Sequence, residues 1–219
     1  MNVSSIGSFG PRLKQLVLPA VIAVLAPLFC SCSKTSAPGP SGPCRIHGTI
    51  SSQYNDRRIF LVPFSGPQTA EYVDSIEIKD GRFEFTTDTV MMAKILVDYH
   101  YRMGVQPLLV VTEPGDVNVV IDAESSATGT PLNDSLQQWK QVTEAHHAEL
   151  AQLRREGNQS KADSLHLAYK QLTRRLAAHV EGTVLGEFLS GLYPYTYKRK
   201  MSDGRIATFN ADTNEEIPE

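Results

Sequence analysis

Residues 73–85 read Val-Asp-Ser-Ile-Glu-Ile-Lys-Asp-Gly-Arg-Phe-Glu-Phe. Apolar and polar side chains alternate on either side of Asp80-Gly81, which is the period of a half-buried strand. An Asp-Gly pair between two such runs is a tight-turn signal, because both central positions of a type I′ turn need positive φ. Two strands are therefore expected, Tyr72–Ile78 and Arg82–Thr86, joined as a hairpin through Lys79-Asp80-Gly81.

The same period extends outward from this turn. Cys44–Ile50 alternates, Ser51–Asp56 is a polar turn, and Arg58–Val62 is a short apolar strand stopped by Pro63. Gly66-Pro67 marks a loop, and Met91–Tyr101 is a longer strand with Ile95, Val97, Tyr99 and Tyr101 on one face. Leu108–Thr112 and Val117–Ile121 read as a second hairpin around Glu113-Pro114-Gly115-Asp116. About seven short strands with turn chemistry between them imply an antiparallel β-sandwich or partly open barrel. The absence of helical pattern between them argues against a nucleotide-binding βαβ fold, and there is no glycine-rich phosphate loop.

At Leu132 the period changes. Leu132, Leu136, Trp139, Val142, His146, Leu150 and Leu153 recur at three and four, as on an amphipathic helix. Asn133 or Asp134 is placed to cap its start, and Gly157-Asn158 to stop it. A second helix runs from Ser160 to about Ala178, giving either a helical hairpin or one kinked helix, and a third runs from Thr183 to Leu192. The fold class expected is thus α+β, with domain 44–131 β-rich and 132–192 a helical appendage. In the remainder, 193–219, Tyr193, Tyr195 and Tyr197 precede Lys198-Arg199-Lys200, and a polar tail is expected to fray.

The N-terminus has a different character. Arg12 and Lys14 precede an apolar run, Leu16–Phe29, too short for the roughly 18 residues of a spanning helix. Leu28-Phe29-Cys30-Ser31-Cys32 follows. This resembles a bacterial lipoprotein signal, with small Ser31 before the cysteine that takes the lipid. Residues 1–31 are read as a signal peptide, Cys32 as the lipidation site, and 32–43 as a Pro/Gly/Ser tether. Cleavage would remove Cys30 and block Cys32, leaving Cys44 as the one free thiol. The tether would hold the folded body off a membrane, and the lack of an acidic run after Cys32 favours the periplasmic side, with the outer membrane as the expected anchor.

Composition narrows the function classes. The chain has 219 residues, formal net charge −3, 41% hydrophobic and 21% charged residues, a globular profile with no basic footprint for nucleic acid. No Cys-x-x-Cys occurs. His146-His147 near Glu144 and Glu149 supplies too few ligands on one face for a metal site, so none is assigned. Asp74 and Ser75 lack a Gly-x-Ser-x-Gly elbow and a histidine partner, so no catalytic residue and no cofactor are expected. Tyr193, Tyr195 and Tyr197 with Lys198, Arg199 and Lys200 form the candidate interface, for an envelope protein or anionic headgroups.

Cys44-x-Ile46-x-Gly48, Val73-Asp74-Ser75-x-x-Ile78-x-x-Gly81-x-Phe83-x-Phe85, Thr112-Glu113-Pro114-Gly115-Asp116-Val117 and Gly129-Thr130-Pro131-Leu132-Asn133 share a pattern. Together they resemble Bacteroidetes-type lipoproteins of the domain of unknown function 4369, over about residues 44–192. In that family a β-rich domain and a helical segment commonly precede a thioredoxin-like oxidoreductase module. That module's Cys-x-x-Cys is not found here, so no redox residue carries over. The expectation is a non-enzymatic, lipid-anchored binding or assembly domain of the cell envelope. Alternatives are an accessory relative working with a separate thioredoxin-like protein, and a glycan-binding module of an uptake system.

Overall fold

The computed structural model describes residues 41–97 and 107–218. The expected signal peptide, Cys32 and most of the tether lie outside the described residues, as do Tyr99 and Tyr101. Among the described residues the fold is α+β, with eleven strands in three sheets, three helices and no closed barrel.

Two four-stranded sheets face each other. The first contains β1 (Cys44–Ile50), β4 (Arg82–Thr87), β7 (Gly115–Ile121) and β8 (Ser126–Thr128), in the order β4-β1-β7-β8. The second contains β2 (Arg58–Pro63), β3 (Asp74–Glu77), β5 (Met92–Val97) and β6 (Leu108–Val111), in the order β3-β2-β5-β6. Alternate residues of β1 and β7 point into the shared core, where Ile46, Val117, Ile59, Ile95 and Val110 are fully enclosed. Each such side chain stabilises the fold by about 1.5–3 kcal/mol. Gly48 belongs to that inward set because the Phe83 ring lies over it. A Cβ there would stand 1.9 Å from the ring's Cζ.

The turn at Asp80-Gly81 forms as its chemistry demands, with φ of 50° and 66° and reciprocal hydrogen bonds between Lys79 and Arg82 at 3.1 and 2.9 Å. The hairpin does not extend from it. β3 pairs with β2 and β4 with β1, so this turn carries the chain from one sheet to the other. Glu113-Pro114 does the same between β6 and β7, which also do not form a hairpin. Nor is the sandwich wholly antiparallel, for β1 and β7 pair in parallel. Tight-turn residues specify two dihedral pairs. They do not specify which neighbours the outgoing strands choose.

The second sheet is covered on both faces. On its outer side Met92 and Val111 pack with Leu136, Leu185 and Leu189 in a second core, which is why β2 and β5 are apolar almost throughout. The covering helices are α1 (Pro131–Arg155), α2 (Gln159–His179) and α3 (Val184–Leu192). A break at 156–158, where Gly157 adopts φ 70°, separates α1 and α2 into a hairpin. Asn158 caps α2 by accepting the Lys161 N–H at 3.3 Å.

The expected frayed tail is ordered structure. β9 (Thr196–Lys200), β10 (Ile206–Asn210) and β11 (Glu216–Ile217) form a third, three-stranded antiparallel sheet. Arg174 fastens it to α2. Its guanidinium donates to the Tyr193 and Pro194 carbonyls, each at 2.8 Å, and pairs with Asp212 at 2.5 Å. Lys170 meets the same carboxylate at 2.5 Å. Hydrogen bonds from Arg174 and Lys170 hold the Asp212 carboxyl down to about 2.

Candidate functional site

The start of α1 is built by residues distant in sequence. Thr130 occupies the N-cap position, but its side chain makes no cap bond. The cap comes instead from Glu113, whose Oε1 accepts the N–H groups of Leu132 and Asn133 at 2.6 and 3.3 Å. A carboxylate there satisfies orphan donors and sits favourably on the helix dipole. Asn133 does not cap its own helix. Its Oδ1 accepts the Val111 N–H at 2.9 Å, and its Nδ2 donates to the Val111 carbonyl at 2.7 Å and the Thr130 hydroxyl at 2.8 Å. The carboxamide therefore pairs with the edge of β6 as a neighbouring strand's peptide would. One helical turn on, Gln137 Oε1 accepts the Ala127 N–H on β8 at 3.3 Å. Two amides at i and i+4 thus meet the adjacent edges of both sheets.

Beyond these two contacts the edges part, and a cleft of about 810 Å³ opens between the sandwich and α1. That volume is within the usual range of ligand pockets, about 300–1,000 Å³. Leu108, Ile121 and Leu136 give it an apolar floor. Tyr54, from the turn after β1, and Trp139, from α1, supply aromatic surface. The Trp139 indole is fixed from behind, its Nε1–H donating to Thr173 at 3.2 Å and its ring meeting Phe188 edge-on at 5.9 Å. Lys140 donates to the Ser125 carbonyl and pairs with Glu144 at 3.6 Å. Asp122, from the turn after β7, also lines the cleft. The arrangement offers aromatic contact, hydrogen bonding and a small acidic excess.

The interface residues expected from the sequence are not brought to one face. Tyr193 is half-buried against Tyr169 and His166, with ring centroids at 5.8 and 6.0 Å, and burial raises its phenol's pKa. Tyr195 is 66% exposed and lies under the Arg174 guanidinium at 4.3 Å. Tyr197 stacks on Phe209 and donates to Asn214, while Arg199 covers the same Phe209 ring at 4.1 Å. Lys198 and Lys200 project from the other face, beside exposed Ile206.

His146 is enclosed between α1 and α2. It stacks on Tyr169 at 4.2 Å, its Nε2 is 3.5 Å from His166 Nδ1, and its own Nδ1 has no partner among the described residues. Desolvation, then the charges of His166, His147 and Arg154, lowers its pKa. No cluster of three metal-ligating side chains occurs among the described residues. Cys44 is buried, and desolvation with the charges of Glu113 and Asp116 pushes its thiol up to about 11, the state of an unreactive core cysteine. Ser75 accepts from Arg58 at 2.5 Å in the β2–β3 pair, a structural role.

Residues 44–136 match the family described as Domain of unknown function (DUF4369). This segment is a domain of that family. The DUF4369 segment comprises the sandwich and the first turns of α1, including Asn133 and Leu136. The rest of α1, together with α2, α3 and the third sheet, lies beyond the match, which is shorter than the resemblance over about 44–192. No curated protein and no solved structure shows a significant match to the chain. Neither the placing of Tyr54 and Trp139 on one cleft nor the Asn133–Val111 pairing is signalled by a local motif. The one sequence hint is the co-occurrence of the Thr112-Glu113 and Thr130–Asn133 signatures, which prove to be two halves of one junction.

Proposed function

We propose that this protein is a non-enzymatic binding module, held at the cell envelope by a lipid on Cys32, which takes its ligand in the cleft between the DUF4369 sandwich and α1. The observation that carries the reading is the cleft: an apolar floor, two aromatic side chains and a few convergent polar groups at a junction of structural units, the usual make-up of a binding site. The lipoprotein-like Leu28–Cys32 stretch and the tether after it support the anchoring. A glycan is the second reading of the ligand, favoured by Tyr54 and Trp139 as stacking surfaces.

The test is a titration of the full chain with soluble oligosaccharides and with short peptides, read by Trp139 emission. A saturable change, weakened in Tyr54→Ala and retained in Tyr195→Ala outside the cleft, is expected. No response to either panel refutes the cleft as a binding site. For the anchor, Cys32→Ala should release the protein from membranes, and unchanged membrane fractionation refutes lipidation there.

A further inference from the structure

Two amides of α1 close most of the junction between the sheet edges. What they leave open defines a ligand chemistry. In a strand, backbone groups alternate direction, so residues two apart point their N–H and C=O the same way. Val111 directs both groups away from β5, onto Asn133. The Thr112 N–H, on the other parity, donates back to Met91 at 3.0 Å. Leu109, two residues before Val111, therefore also turns its N–H and C=O away from β5. Leu109 lines the cleft, and no described residue bonds those two groups. Among the described residues, the edge of β6 is thus satisfied by a peptide-like carboxamide at Val111 and open at the next equivalent position.

We propose that the cleft accepts an extended peptide segment, which pairs as an added strand with the β6 edge through the Leu109 N–H and C=O. The proposal rests on the reading of the cleft as a binding site and names its ligand class. Main-chain pairing of this kind gives affinity with little sequence demand, and alternate side chains give specificity. Here one set of alternate side chains would meet Leu108 on the sandwich side and the other set Leu136 on the helix side. The cleft's ionisable groups give a preference for a basic residue. Asp122 and Glu144 carry two carboxylates against the single ammonium of Lys140, which is already engaged with Glu144 and the Ser125 carbonyl. Asn133 shows within the molecule that this edge pairs with an amide at ordinary hydrogen-bond length.

The test pans a displayed library of random heptapeptides on the full chain, then measures the enriched peptides. They should share an alternating apolar pattern with a basic residue. Each should slow amide exchange at Leu109, the one amide of the segment 107–111 that is open, by about tenfold or more, the protection expected of a hydrogen-bonded edge amide. N-methylation of alternate peptide nitrogens, which blocks pairing along one edge, should lower affinity by about tenfold. Enriched peptides that tolerate N-methylation and leave Leu109 exchange unchanged overturn strand pairing while leaving the cleft a binding site. Cleft binding by oligosaccharides with no peptide enriched has the same consequence. If neither class perturbs Trp139, the cleft reading falls as well.

Discussion

Replacing Asn133 by alanine tests the junction most directly. The side chain is fully buried and makes three hydrogen bonds, two of them to Val111, itself fully buried. Asn133→Ala strips partners from a backbone N–H and a backbone C=O that water does not reach. Each buried polar group left unsatisfied costs about 1–3 kcal/mol, so two cost about 2–6 kcal/mol. Helix propensity offsets this by less than about 1 kcal/mol, since alanine is the better helix former. The expected net loss is about 2–5 kcal/mol, a large share of the about 5–15 kcal/mol of a typical domain. Urea unfolding, followed by Trp139 emission and by far-ultraviolet circular dichroism, measures it. Gln138→Ala, on the exposed side of the same helix, serves as the control and should fall within about 0.5 kcal/mol of wild type. A loss below about 1 kcal/mol for Asn133→Ala would show that β6 does not depend on this amide.

Glu113→Ala removes the cap that the loop between β6 and β7 lends to α1 and should destabilise by about 1 kcal/mol; an unchanged urea midpoint sinks that assignment. Gly81→Val places a branched side chain at φ 66°, with its Cβ 2.7 Å from the Ile50 carbonyl oxygen, and should lose more than about 1 kcal/mol; a neutral melting shift contradicts the turn. His146 has a folded-state pKa below its ordinary 6.5, first through burial and then through His166, His147 and Arg154. Folding therefore favours the neutral imidazole. That contribution is fully present above about pH 6.5 and is lost as pH falls below it. Wild type should be less stable at pH 5.5 than at pH 7.5, and His146→Phe should flatten that slope; an identical slope in both proteins rules out His146 as its source.

The layers of the fold were legible where side-chain period speaks for burial. Alternation in β1 and β7 marks strands with one core face, and the nearly continuous apolar run in β2 marks a strand covered twice. Pairing was not legible, because it is decided by partners far apart in the chain. Asp80-Gly81 announces a turn, yet nothing in those residues tells β4 to leave β3 for β1. The parallel β1–β7 pair joins residues 44–50 to 115–121, beyond any local signal. β8, Ser126–Thr128, is too short and polar to stand out. The third sheet reads as a solvated tail because Lys198–Lys200 and its acidic end are polar, although Asp203-Gly204 between alternating runs is an Asp-Gly turn signal, with Gly204 at φ 87°. The cleft draws its lining from the turn after β1, from β6, from the turn after β7 and from α1, so no single stretch could reveal it.

The family match runs into α1, and the junction gives a physical reason for the sandwich to need the start of that helix. A sandwich of two open sheets exposes unpaired strand edges, which proteins must pair, cover or blunt. Here the adjacent edges of β6 and β8 are met by Asn133 and Gln137, and Leu136 between them packs against Met92 and Val111 on the second sheet. The first turns of α1 are therefore part of the sandwich in energetic terms: without Asn133, Val111 is an orphaned buried peptide, and without Glu113 the helix has no cap. A domain cut at residue 130, where the β pattern stops, would leave the Val111 peptide orphaned. The matched segment instead reaches residue 136, far enough to include the amide that completes β6. The same logic makes the open Leu109 position informative. In a junction where the neighbouring edge peptide is matched by a dedicated side chain, an unmatched peptide facing a cleft is the place where a second chain can do what Asn133 does one position away.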